Sequence, residues 1–176
     1  MKHLILIVAL ALSGCISMTP ATYMVSTDAK AALQKYQGSR VAVGEIANPP
    51  SFDAMCRAVG NVQFGDGLSP GQFVARGLAD ELKYAGLQAA GGVRLDGALT
   101  RVAFSTSAGI TGGWWDIGLT LRSSNGASMA IDHKYEFEAG FVGPAACNNA
   151  SRAFGPAVQQ LVYKTITDPR FAGLVR

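Results

Sequence analysis

Charge is scarce in this chain: 15% of its 176 residues are charged, and 15 Lys and Arg barely exceed 12 Asp and Glu. So small an excess, spread along the chain, excludes the basic stripe that a nucleic-acid surface needs. Histidine is scarcer still. With only His3 and His133 present, a Ser-His-Asp triad or a histidine-based metal site has little to be built from. Cysteine occurs three times, at Cys15, Cys56 and Cys147, without Cys-x-x-Cys spacing, and no zinc or calcium motif is found. Long apolar runs are missing as well: Leu4 to Leu12 falls far short of the roughly 18 residues that span a bilayer, and no later run approaches that length.

What is present at the start is an address. Lys2-His3, the apolar run Leu4 to Leu12, and the small residues Ser13-Gly14 before Cys15 describe a cleaved signal peptide over residues 1–14 rather than a membrane helix. Leu12-Ser13-Gly14-Cys15 resembles the lipobox of bacterial lipoproteins. The resemblance implies a diacylglycerol on the Cys15 sulfur, cleavage before it, and an acylated new amino terminus. Ile16, where an Asp would retain such a protein at the inner membrane, implies the outer membrane, with the domain facing the periplasm.

Removing residues 1–14 leaves enough chain for one domain with a real core. Residues 15–27 read as a lipidated terminus and short tether, and residues 28–176 as a single domain. Ile16 to Thr27 reaches no more than about 40 Å even when extended at roughly 3.3 Å per residue, so the domain stays near its bilayer. With Cys15 taken by the lipid, Cys56 and Cys147 are the thiols left in an oxidising compartment, and they are expected to pair.

Along the domain, Asp28 to Tyr36 reads as a short helix that Gly38 stops, and Arg40 to Ala47 as a first strand ended by Asn48-Pro49-Pro50. The segment from there to Gly67 reads as a long irregular loop held by the disulfide. Ser69-Pro70-Gly71-Gln72 is a capping box with Pro at the first helical position, followed by the stripe Val74, Leu78, Leu82, Ala85 and the stop Gly86. Val93 to Thr106 is a strand whose apolar parity changes midway, which requires a bulge near Thr100-Arg101. Ser105 to Gly113 is expected to be a mobile loop. Cys147, Ala150, Phe154, Val158, Leu161 and Thr165 share one helical face, with a kink or restart at Gly155-Pro156 and a stop at Asp168-Pro169. Phe171 and Leu174 are expected to tuck back onto the body.

The hairpin from Trp114 to Phe141 permits its register to be derived. A two-residue turn at Asn125-Gly126 would set Leu119 opposite Asp132 and mix apolar with polar residues on each face. A three-residue turn Ser124-Asn125-Gly126, with Gly126 left-handed, pairs Leu121 with Met129, Leu119 with Ile131, Ile117 with His133 and Trp115 with Tyr135. It also sets Asp116 opposite Lys134. His133 then faces inward as a core residue rather than a general base. The other face carries Trp114, Arg122, Lys134 and Glu136, a candidate partner-binding surface because interface anchors favour Trp and Arg within a polar rim.

The expected fold is α+β: a mixed, mainly antiparallel sheet of about four strands with two main helices on one face, in the order β-α-β-β-β-α. Behind a lipobox, that layout over Arg40 to Thr167 resembles small outer-membrane lipoproteins of the YajG-like family and the periplasmic domains of curli-secretion and penicillin-binding-protein-activator lipoproteins. The resemblance implies a non-catalytic accessory or assembly subunit without cofactor or metal, which joins a protein partner or further copies of itself. The alternative is a lipoprotein that holds a small ligand or lipid in an apolar cleft between sheet and helices.

Overall fold

The computed structural model describes residues 18–176, so the signal peptide and Cys15 lie outside the described residues. Ser26 opens helix α1 (Thr27–Leu33), its hydroxyl accepting from the Ala29 N–H, and a 3-10 turn continues to Tyr36. Strand β1 (Val41–Ala47) follows, then a small hairpin of β2 (Met55–Cys56) and β3 (Gly60–Asn61). Helix α2 (Pro70–Tyr84) begins with the capping box that the sequence predicts: Ser69 Oγ accepts from the Gln72 N–H, and Gln72 Oε1 from the Ser69 N–H. Strands β4 (Val93–Ala108), β5 (Gly112–Ser123) and β6 (Ser128–Glu138) come next, and helices α3 (Gly143–Thr167) and α4 (Phe171–Leu174) close the chain.

The α+β class and the mixed, mostly antiparallel four-stranded sheet are as expected, but the order β-α-β-β-β-α with two helices is not. The described residues read α-β-β-β-α-β-β-β-α-α, with four helices among them. Helix α1, ahead of β1, is the short helix read over Asp28 to Tyr36; the other elements outside that order are short ones held by tertiary contacts. In the β2–β3 turn, Arg57 and Ala58 take left-handed backbone angles that no local pattern advertises, and Cys56 is tied to Cys147 by a disulfide with Cα atoms 5.7 Å apart. Helix α4 forms where Phe171 and Leu174 bury fully.

The sheet order is β1-β4-β5-β6, with β1 parallel to β4 and the rest antiparallel. Helix α2 makes the crossover that parallel neighbours require. The register of β5 on β6 is the derived one, from Trp115↔Tyr135 to Leu121↔Met129. Gly126 is left-handed at φ +94°. The β4 bulge falls between Leu99 and Arg101, which lets Leu95, Leu99 and Val102 all bury on one side.

Two expectations fail here. Ser105 to Gly113 is not a mobile loop: β4 runs to Ala108 and β5 starts at Gly112, so only 109–111 turn. Small residues are needed there for packing, since a Cβ on Gly113 would stand 2.5 Å from the Phe137 ring. Of the kink or restart expected at Gly155-Pro156, the restart is the part that fails: helix α3 continues through Pro156 as one helix. Interior proline costs about 3 kcal/mol, and the buried residues on both sides, Phe154, Ala157, Val158 and Leu161, outweigh it.

Both long helices pack on one face of the sheet. Val74, Leu78 and Leu82 of α2 and Phe154, Val158 and Leu161 of α3 meet Leu95, Leu99, Trp115, Ile117, Leu119 and Leu121. Among the described residues no helix packs on the other face.

Candidate partner-binding surfaces

On the open face the hairpin register places Trp114 between Ser105 of β4 and Glu136 of β6. Its ring is half-buried, and Lys134 Nζ lies 5.4 Å above the centroid. Lys134 also approaches Glu136 at 3.9 Å. Beside them Gly112 and Gly113, which have no side chains, open a groove of about 500 Å³ floored by Ala108 and Phe137. Trp114, Lys134 and Glu136 thus form one surface. Arg122 does not join them: it lies eight residues further along β5, roughly 26 Å away.

Asp116 and Lys134 do stand opposite one another, but the Asp116 carboxylate is taken by Arg101. That guanidinium binds it through two hydrogen bonds of 2.9 and 2.8 Å and reaches Asp132 at 3.0 Å. Arg101 was not singled out in the sequence, because only the bulge turns it onto this face. Trp114→Ala is expected to leave the unfolding midpoint nearly unchanged, whereas Leu119→Ala, which empties a buried site opposite Ile131, is expected to cost about 2–5 kcal/mol. Urea unfolding of both variants checks this. Equal losses would make Trp114 a core residue.

A second surface went unrecognised in the sequence. Strand β1 pairs with β4 only from Val93 to Ala98, so among the described residues β4 beyond its bulge has no strand neighbour on that side. Across the gap stands the segment Ser51 to Arg57, leaving a groove of about 520 Å³ against Val102 to Ser107. Arg57 closes one end, its guanidinium donating to the Thr106 carbonyl and hydroxyl and to the Phe141 carbonyl. Antiparallel alternation turns the N–H and C=O of Val102 and Phe104 to the side of that Thr106 carbonyl, so both face the groove. Met55, half exposed, supplies an apolar contact on the far wall. The signal that would have found this edge is the length mismatch between a seven-residue β1 and a sixteen-residue β4.

Two buried polar groups lie elsewhere. Glu81 is fully buried on α2 and holds the N-terminal strap, Oε1 accepting from the Ser26 N–H at 2.8 Å and the Tyr23 hydroxyl at 3.0 Å, while Oε2 has no partner among the described residues. Burial lifts its carboxyl above the ordinary 4.5, outweighing those donors, and burial together with Glu81 raises the Tyr23 hydroxyl. A carboxyl raised by folding favours the fold below its unfolded pKa and loses that contribution as pH climbs through its folded pKa. Glu81→Gln is therefore expected to match wild type in acid and gain relative melting temperature as pH rises past 4.5. Parallel melting curves from acid to neutral pH would show that burial costs nothing there. His133 half-buries on the inner face, its Nε2 without a partner among the described residues, and burial, then Lys164, lowers its pKa.

Among the described residues no group of three or more His, Cys, Asp or Glu stands close enough to hold a metal ion. No helix among them is long and apolar enough to cross a membrane. The space between sheet and helices, where an apolar ligand cleft was the alternative, is filled by rings: Trp115 stacks on Phe104 at 4.8 Å and meets Phe154 edge-on at 4.7 Å, and Phe64 meets Phe154 at 4.6 Å.

No protein-family model matches the chain, and no curated protein does. Among solved structures it is similar to protein XCC0632 of Xanthomonas campestris, of family DUF330, with 12% identity, 72% of this chain and 80% of that one covered, and a TM-score of 0.41. A second structure, described as an uncharacterized protein, aligns at 11% identity over 73% of this chain and 90% of its own, with a TM-score of 0.44. At these values the likeness carries no statement about function.

Proposed function

We propose that this chain is a non-catalytic, lipid-anchored subunit at the outer membrane whose periplasmic domain captures an extended segment of a protein partner. The observation that carries this reading is the groove along β4, where a strand edge whose polar groups at Val102 and Phe104 pair with no strand among the described residues faces a wall bearing Met55. Strand addition supplies affinity through main-chain hydrogen bonds and specificity through side-chain pockets. The Trp114 surface, on the neighbouring strand, offers the body of the partner an aromatic anchor with Lys134 and Glu136 at its rim. The partner is a foreign chain or a second copy of this one.

A photo-crosslinking residue in place of Met55, and separately in place of Ser107, is expected to give the same adduct in intact cells. The same residue in place of Tyr84, on α2, is expected to give none. The adduct's mass separates a foreign partner from a second copy. Absence at both groove positions, or equal yield at all three, would sink the groove as the site. The anchor has its own test: Cys15→Ala is expected to abolish palmitate labelling and leave a larger precursor, and a variant that still takes up label would refute it.

A further inference from the structure

Among the described residues three large apolar side chains stand far out of the core at one end of the domain: Ile110 at 81% exposure, Phe141 at 75% and Val142 at 62%. They belong to two loops that are tied together. The Ala139 and Gly140 N–H groups both donate to the Thr111 carbonyl, at 2.7 and 2.8 Å, so the β6–α3 loop is bound to the β4–β5 turn. Arg57 fixes the same loop to the disulfide hairpin through the Phe141 carbonyl at 3.0 Å. The opposite end of the sheet is polar: its turn is Ser124-Asn125-Gly126, and Asn125 Nδ2 holds the Arg176 carbonyl at 2.8 Å. The two ends lie about 35–40 Å apart along the twelve residues of β5.

The N-terminal strap leads toward the apolar end. Gln159 Nε2 donates to the Met24 carbonyl at 2.7 Å, and the Thr22 carbonyl lies against Gly155. Further back, the Thr19 N–H donates to Asn148 Oδ1 at 2.7 Å, and Ser151 Oγ approaches Met18 Sδ at 3.6 Å. Followed from Met24 to Met18, the strap therefore tracks α3 from Gln159 back toward its first residue, Gly143. Met18 reaches Gly60 of the disulfide hairpin, whose neighbour Val59 lies beside Gly143. Cys15 is three residues further, no more than about 10 Å from Met18 by chain length.

We propose that this end of the domain lies on the bilayer, with Ile110, Phe141 and Val142 entering the lipid interface beside the acylated terminus. The placement of the bilayer rests on the lipid anchor proposed above, whereas the apolar tip is a feature of the fold. Large apolar side chains on a rigid tip add buried area to an acyl anchor and hold the domain in one orientation. The β4 groove, whose Arg57 wall adjoins the tip, then opens close to the membrane surface.

The test uses the mature full-length protein in phosphatidylcholine–phosphatidylglycerol vesicles with brominated acyl chains, with acylation read by intact mass. Phe141→Trp and, as a second variant, Ile110→Trp are expected to add blue-shifted emission that the brominated chains quench at least about twofold. Tyr163→Trp, twenty residues along α3 from Gly143 and about 30 Å away, is expected to be unaffected. If the acylated protein floats with the vesicles and neither tip variant is quenched, the tip proposal is overturned while the anchor stands. If unacylated protein floats and both tip variants are quenched, the anchor fails and the tip stands. Protein that neither carries acyl chains nor binds vesicles overturns both.

Discussion

Trp115→Ala is expected to cost about 3–5 kcal/mol and to fall at the upper end of that range. The indole is fully buried where sheet and helices meet, in ring contact with Phe52, Phe64, Phe104 and Phe154. Its Nε1–H donates to the Ala150 carbonyl at 3.0 Å, which ties β5 to α3. Truncation removes the shared member of four aromatic contacts and opens a cavity that neighbours from β4, α3 and two connecting segments cannot close by one movement. Trp115→Phe keeps most of the ring packing and gives up the hydrogen bond, so it is expected to recover more than half of the loss. Urea unfolding at neutral pH measures both. A loss below about 1.5 kcal/mol for the alanine variant would mean that the cluster repacks, and that the ring is not the keystone of the core.

Joint replacement of Cys56 and Cys147 by serine is expected to cost about 4 kcal/mol, because the disulfide closes a loop spanning 91 residues. A local effect comes with the global one. The β2–β3 hairpin has only two paired positions, Met55↔Asn61 and Cys56↔Gly60, and without the bond to α3 its hold on the body rests chiefly on the hydrogen bonds of Arg57 to Thr106 and Phe141. The wall of the β4 groove is therefore expected to loosen in denaturant well before the sheet, and partner capture through Met55 to fall in protein that is still folded. Unfolding curves with and without reductant, read beside crosslinking at Met55, separate the two effects. An unchanged midpoint on reduction would refute the stabilising role. Unchanged crosslinking in reduced, folded protein would show that the wall stands by itself.

Some of this architecture is written in local patterns. The pairing of β5 with β6 follows from the sequence because a strand has period two: slipping by one residue would turn Leu119 and Leu121 to solvent, so only one turn length is compatible with a single apolar face. The start of α2 is legible because a capping box satisfies backbone donors within four residues, and the β4 bulge because apolar parity changes where no turn intervenes. The disulfide follows from counting, once Cys15 is assigned to a lipid.

Tertiary structure decided the rest. The β2–β3 hairpin and α4 lie outside the expected order because each is too short to show a period and is held by distant contacts, the Cys147 sulfur in one case and burial of Phe171 and Leu174 in the other. Arg122 looked like a companion of Trp114 because both share a face, and a face says nothing about separation along a strand. Arg101 took the place expected of Lys134 at Asp116 because a cross-strand partner is chosen by reach as well as register. The open edge of β4 was hidden for a similar reason. Periodicity tells each residue which side of the sheet it occupies, whereas the place where a neighbouring strand stops is set by the packing of β1 and α2, and that stop is what leaves Val102 and Phe104 facing the groove.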